Sequence, residues 1–342
     1  MNTYDPRGPQ FLREGRYDPG ETACELWWSG SGIRTVLDCT RLQLEAEAAE
    51  GEFTPWLSVV VDGAPVARFP LMAGRHRYDL LGGLEKGYPH EVAVLRDTQP
   101  TDADTAPLRL TAICTDGVPE APKPRARLVE FLGDSLTVGE GTVGARSAME
   151  WRMAWISNQF AFPALTAQLL DAEKRVVALG GWGAYMSFDA DPEHTIGKIY
   201  DRLCAVVPAG DIPYDFSAQR PADAVVINLG TNDASALDKL SAEGRTGGMA
   251  EFEDSAVALM ELVRLRNPGA VILWAYGLCG GAMHEPLRRA VERRRAAGDA
   301  DTHYLALDDC AGDLGSRSHP GRAAHARAAV QIAEALERLK GK

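Results

Sequence analysis

Paired cysteines, long apolar runs and surplus positive charge are all missing from this sequence. Its six cysteines, at 24, 39, 114, 204, 279 and 310, form no C-x-x-C pair, which speaks against a zinc site or a redox motif. They fall mostly inside apolar runs, as buried free thiols do, and a disulfide framework is not expected in a chain with this much core. No stretch approaches the roughly 18 apolar residues of a membrane span. The opening Met1-Asn-Thr-Tyr-Asp-Pro-Arg7 has no apolar segment of the signal-peptide kind, so the expectation is a cytoplasmic protein without a membrane partner. The formal net charge is -12, which disfavours nucleic acid and anionic membrane surfaces as partners. Internal repeats and low-complexity tracts are absent. What remains is an ordinary soluble composition, 45% hydrophobic and 25% charged, over 342 residues, long for one domain and comfortable for two.

The chain changes grammar part-way. Up to about residue 116, short β-branched and aromatic runs (24–28, 33–38, 56–61, 66–69, 91–95 and 108–114) alternate with Gly-rich turns such as Ser29-Gly-Ser-Gly32 and Asp62-Gly63. This pattern predicts an all-β sandwich or jelly roll over residues 1–116. Three prolines, Pro119, Pro122 and Pro124, mark 117–126 as an extended linker. From 127 to 342, strand-length apolar runs at 127–132, 175–179, 222–229, 270–276 and 304–307 alternate with helical segments at 148–170, 249–266, 285–297 and 321–339. Within 249–266 the apolar residues Phe252, Ala256, Leu259, Leu262 and Val263 recur near the 3.6 period. Alternating β and α elements predict a three-layer α/β domain with a parallel sheet.

Three strand ends and one loop carry residues of chemical interest. The first apolar run of the second part stops in Gly133-Asp-Ser-Leu136. A serine at the carboxyl end of such a strand sits where open α/β sheets place their ligands, although an N-cap is the plainer reading. Asn232 follows another strand end in Gly230-Thr-Asn-Asp233 and offers a side-chain amide; Asn and Asp also suit a turn. Gly181, in Gly180-Gly-Trp-Gly183, can present a bare backbone N–H. Trp182 beside it can serve as a stacking platform for a sugar ring or pack in the core. His319, in Ser318-His-Pro-Gly321, lies between the last strand and the last helix. A nucleophile, an amide donor and a base are the parts of acyl transfer.

Taken together, Gly133-Asp-Ser-Leu136, the Gly181 turn, Gly230-Thr-Asn-Asp233 and His319-Pro320 resemble the blocks of the SGNH/GDSL hydrolase superfamily, in the family's order. The resemblance covers about residues 127–340. It implies a flavodoxin-like three-layer hydrolase domain, Ser135 as nucleophile, His319 as base, and an oxyanion hole made by the Ser135 N–H, the Gly181 N–H and the Asn232 amide. The front segments Trp28-Ser-Gly-Ser-Gly-Ile33, Val61-Asp-Gly63 and Val94-Leu-Arg-Asp-Thr98 resemble the N-terminal β-sandwich of carbohydrate esterase family 2. That family removes acetyl groups from plant polysaccharides.

One departure stands out. SGNH enzymes usually carry an Asp three residues before the histidine, and here the position is Ser316. Some family 2 esterases similarly lack the acid and hold the histidine through a main-chain carbonyl. The expectation is therefore that a carbonyl within 312–318 holds His319 Nδ1, with Asp313 as the fallback. The resemblance implies an O-deacetylase acting on acetylated xylo- or manno-oligosaccharides, with no metal or organic cofactor. The alternatives are a thioesterase or other esterase for non-sugar esters on the same scaffold, or an inactive carbohydrate-binding relative.

Overall fold

The computed structural model describes residues 1–340 and divides the chain into two compact units. The first comprises Met1–Arg125 with Arg152–Ala154 and Arg202–Asp215; the second holds the remainder. Two segments of the expected 127–342 block, 152–154 and 202–215, thus group with the first unit.

The first unit has ten strands: β1 (Asn2–Tyr4), β2 (Leu12–Glu14), β3 (Cys24–Leu26), β4 (Gly32–Leu37), β5 (Arg41–Ala48), β6 (Trp56–Val61), β7 (Ala64–Pro70), β8 (Gly74–Gly82), β9 (His90–Arg96) and β10 (Leu108–Thr115). They form two antiparallel sheets, one ordered β1-β10-β5-β8 with β3 also on β10, the other β2-β4-β9-β6-β7. Leu44 and Leu110 of the first and Ile33, Leu57 and Val94 of the second belong to one buried core, as in a sandwich. β5 shows why. In Arg-Leu-Gln-Leu-Glu-Ala-Glu-Ala, Leu42, Leu44, Ala46 and Ala48 are buried while the intervening residues turn outward, the period-2 alternation of a half-buried strand. The Pro-rich segment is tied to this unit, since Val36 and Glu120 exchange backbone hydrogen bonds of 2.8 and 2.9 Å.

The second unit contains β11 (Arg127–Gly133), β12 (Ala172–Ala178), β13 (Ala224–Asn228), β14 (Val271–Tyr276) and β15 (Thr302–Ala306), all parallel in the order β12-β11-β13-β14-β15. This is the doubly wound order of flavodoxin-like folds. The central β13 is buried along its whole length, as strands covered on both faces must be. The helices are α1 (Ser135–Val138), α2 (Phe162–Leu169), α3 (Ile196–Ile199), α4 (Thr231–Leu237), α5 (Ala242–Arg266), α6 (His284–Ala296) and α7 (Arg322–Lys340). α2 packs on α7, and α5 on α6. The helix expected over 148–170 is confined to 162–169, preceded by two 3-10 turns. On α5 the buried stripe uses Phe252, Ala256, Leu259, Met260 and Val263, while Leu262 is half-buried.

All six cysteines are free thiols. Among the described residues, no helix is long and apolar enough to cross a membrane, and no cluster of His, Cys, Asp and Glu is placed to hold a metal ion.

Arg96 stitches the first unit together. It is fully buried and donates to the carbonyls of Leu26, Thr98 and Gln99 and to the Asp104 carboxylate, at 2.9–3.2 Å. Arg96→Met leaves those acceptors and one carboxylate without their donor. It should lower unfolding free energy by about 3–5 kcal/mol, read by denaturant titration of the variant against wild type.

Candidate active site

Strand register builds the site. Gly133 at the end of β11 lies level with Ala178 of β12 and Asn228 of β13. The three strands stop at one edge, and the chain beyond each stop supplies a group. Asp134 caps α1, its Oδ1 accepting from the Leu136 N–H at 3.0 Å. Ser135 opens that helix and is 8% exposed. Beyond β12, Gly181 turns the chain with φ +87°. Beyond β13, Gly230 at φ +125° leads into α4, whose first turn holds Asn232 and Asp233.

These turns are bound to one another. Asn232 Nδ2 donates to Asp134 Oδ2 at 3.1 Å and to the Trp182 carbonyl at 2.8 Å. The buried Asp233 carboxylate accepts from the N–H groups of Ala184, Tyr185 and Met186 at 3.1, 2.7 and 3.0 Å. Burial pushes the Asp233 carboxyl upward even against those donors. Burial likewise raises Asp134 to about 7, opposed by the Leu136 N–H and reinforced by the charge of Asp233. Gly181 and the Asn232 amide are thereby held in fixed relation by groups buried beneath them.

His319 comes from the far side. Leu314 bridges Pro320, and the Gly315 N–H donates to the His319 carbonyl at 2.8 Å. His319 Nε2 lies 3.0 Å from Ser135 Oγ. Its Nδ1 lies 3.0 Å from the Arg317 carbonyl. A carbonyl can only accept, so Nδ1 carries the hydrogen and Nε2 is left as the acceptor. The orienting group is therefore a carbonyl within 312–318. Asp313 does other work: its carboxylate accepts from the Ala324 N–H in the first turn of α7.

Ser135, Gly181, Asn232 and His319 all line one cleft of about 510 Å³, with Trp151, Phe188, Glu140, Arg317 and Cys279 in its walls. Trp182 is the exception among the sequence candidates. Its ring is not part of the lining and sits 5.0 Å from the His194 ring. The ring packs on that imidazole instead of entering the cleft. The aromatic wall is instead Trp151 and Phe188, the latter 52% exposed and held by a 2.9 Å bond from its N–H to the Gly181 carbonyl. Glu140, Arg317, Trp151 and Phe188 were not singled out by sequence reasoning. For Glu140 a signal existed: a charged residue between Gly139 and Gly141, immediately after the serine helix.

Residues 131–327 match the GDSL-like lipase/acylhydrolase family. The chain belongs to that family. Residues 13–122 match the carbohydrate esterase 2 N-terminal family. A cellulase/esterase of Acetivibrio thermocellus is 28% identical, aligned with 99% of this chain and 40% of its own length. An acetylxylan esterase/glucomannan deacetylase of Cellvibrio japonicus is 24% identical over 61% of this chain and 56% of its own. The chain thus spans about half the length, or less, of these curated relatives. The solved structure of an acetyl xylan esterase from the rumen bacterium Butyrivibrio proteoclasticus superposes with a TM-score of 0.94 over the whole of both chains, at 24% identity, which establishes the shared fold.

A triad Asp that loses its charge costs roughly ten-thousandfold in kcat. Since Asp313 caps α7 and His319 is held by a carbonyl, Asp313→Asn should keep kcat within about tenfold of wild type. A loss near the triad figure in steady-state assays would return Asp313 to the orienting role.

Proposed function

We propose that the chain is a serine esterase that removes O-acetyl groups from carbohydrates, with acetylated xylo- or manno-oligosaccharides as substrates. Ser135 and His319 are the catalytic pair. The observation that carries the reading is the 3.0 Å approach of His319 Nε2 to Ser135 Oγ, with Nδ1 of the same ring fixed by a carbonyl. The substrate class is supported by the relatives named above and by an aromatic-walled cleft with room for a sugar ring beside an acetyl group.

The mechanism follows from the contacts. Ser135 Oγ attacks the acetyl carbonyl carbon while its proton passes to His319 Nε2. The carbonyl oxygen becomes an oxyanion, held by the N–H groups of Ser135 and Gly181 and by the Asn232 amide. Collapse breaks the bond to the sugar oxygen, which takes the proton from Nε2 and departs as a hydroxyl. Water then gives a proton to Nε2 and attacks the acetyl-enzyme, releasing acetate and restoring Ser135. Both Nδ2 hydrogens of Asn232 already have acceptors in the free site. The oxyanion must therefore share one of them, and it competes best once it carries a full charge. That favours the transition state over the ground state.

Ser135→Ala should lower acetate release from acetylated xylan or mannan oligosaccharides by at least about a thousandfold with folding nearly unchanged. Activity within tenfold of wild type would remove Ser135 from the role. Cleavage of p-nitrophenyl acetate without any release of acetate from sugars would point to non-sugar esters instead. Asn232→Ala should lower kcat by about a hundredfold or more and leave KM little changed, because the amide acts on developing charge. A raised KM with kcat intact would make Asn232 a substrate-binding residue.

A further inference from the structure

Among the described residues lining the cleft, Glu140 carries the only carboxylate. Its side chain is 6% exposed. One oxygen, Oε1, accepts from Arg317 Nη1 at 2.6 Å. The other, Oε2, lies 3.7 Å from His319 Nε2. The carboxylate is thus anchored at one end and aimed at the reacting nitrogen with the other. At 3.7 Å it is beyond hydrogen-bond range, so Nε2 remains available to Ser135.

The backbone on both sides is built for this approach. Gly139 and Gly141, at φ +87° and +88°, flank Glu140, and the Glu140 N–H donates to the Ser135 carbonyl at 2.9 Å. A Cβ on Gly141 would stand 2.7 Å from His319 Cβ. Opposite, Arg317 and Ser318 occupy the left-handed region in succession, at φ +52° and +58°. Two such residues together are costly and persist only where surrounding contacts hold them. Here the Arg317 N–H donates to the Ala148 carbonyl at 2.8 Å, its own carbonyl receives His319 Nδ1, and its guanidinium grips Glu140. One strained residue therefore sets both sides of the imidazole.

We propose that Glu140 is the counter-charge of His319, stabilising the imidazolium from the Nε2 side in place of an acid at Nδ1, with Arg317 holding it there. This rests on Ser135 and His319 being the catalytic pair. When Ser135 gives its proton to Nε2, positive charge appears on the ring. The Arg317 carbonyl fixes the tautomer but carries no full charge to balance it. A carboxylate within about 4–6 Å favours the protonated ring by roughly one to three powers of ten. The Arg317 guanidinium opposes that field and reduces its effect.

Several groups near the ring titrate or carry charge. Glu140 faces it from the loop after α1 and Arg317 from its own turn. Cys279, after β14, is pushed up to about 11 by burial. His325, in α7, is pushed down to about 3 by burial and by the charge of His319, and stays neutral in the working range. Asp134, beneath Asn232, rises to about 7 and titrates inside that range. The charge of Glu140 adds to that rise, so removing it also lowers Asp134, and NMR titration of the His319 ring in each variant assigns the limb to the histidine.

The test measures kcat and kcat/KM against pH, with p-nitrophenyl acetate and an acetylated xylo-oligosaccharide, for wild type, Glu140→Gln, Glu140→Asp, Arg317→Gln and Ser135→Ala. Glu140→Gln should lower kcat by roughly 10- to 100-fold. It should also move the acid limb of kcat/KM to lower pH by about one unit, because the ring holds its proton less tightly without the carboxylate. Glu140→Asp keeps the charge and should hold the limb near wild type. Arg317→Gln keeps the carbonyl and removes the opposing charge, so its limb should move to higher pH; this variant carries the test if Glu140→Gln does not fold. A Glu140→Gln limb that stays in place, whether or not kcat falls, overturns the proposal and leaves Glu140 a structural residue. An Arg317→Gln limb that stays in place does the same; one that moves to lower pH supports the proposal, the carboxylate leaving the ring once its anchor is gone. Near wild-type rates for Ser135→Ala would instead remove the catalytic reading beneath it.

Discussion

Register between three parallel strands is the constraint on which the site depends. Gly133, Ala178 and Asn228 lie side by side, so Ser135, Gly181 and Asn232, two to four residues further on, emerge at one edge. Slipping β11 by one residue against β13 would move Ser135 by about 3.3 Å and send alternate side chains to the opposite face. The buried strands resist this because both faces are covered. Chemistry at this edge is thus a consequence of core packing, and the loops only finish what the sheet begins.

The finishing is done by two buried carboxylates. Asp134 and Asp233 are nearly inaccessible to solvent, and burial raises both carboxyls. Such groups are tolerated only where donors surround them. Asp233 gathers three backbone N–H groups of the 184–186 turn. Asp134 takes the Leu136 N–H and the Asn232 amide. Neither lines the cleft. Together they stiffen Gly181 and Asn232, the donors proposed for the oxyanion, and donors fixed beforehand need no reorganisation when charge develops.

The histidine turn solves a different problem. His319 must approach the serine helix from a separate segment, and side chains would obstruct it. Gly141 and Gly315 remove the obstruction: a Cβ on either would collide with the other segment. With two glycines spent on access, the turn itself is held by non-glycine residues in the left-handed region. Its geometry therefore relies on tertiary contacts from Ala148 and Glu140, not on local preference.

That division explains what could be read from the sequence. Strand ends followed by Gly-Asp-Ser-Leu and Gly-Thr-Asn-Asp carry local backbone instructions, and the residues they deliver meet in one cleft. The parallel sheet was equally legible, because buried strands are written as continuous apolar runs. β1, β2, β5 and β8 lie outside the apolar runs of the sequence: the first two are three residues long, β5 alternates but ends its buried face in small Ala side chains, and charged residues fill β8. The segment 148–170 is rich in helix-forming residues but is held irregular up to Phe162, where Ser157 donates back to Gly139; tertiary contact overrides propensity. For Trp182 the sequence left two readings, a platform or a packed ring, and the ring packs against His194 outside the cleft lining. Glu140 is flagged by its place between Gly139 and Gly141, but nothing local says what its charge faces. Its meaning comes from Arg317, 177 residues away along the chain, and from a 3.7 Å approach to His319 that neither residue's neighbours encode. Motifs record how the chain turns; the charge that faces a reacting atom is settled by which turns come together.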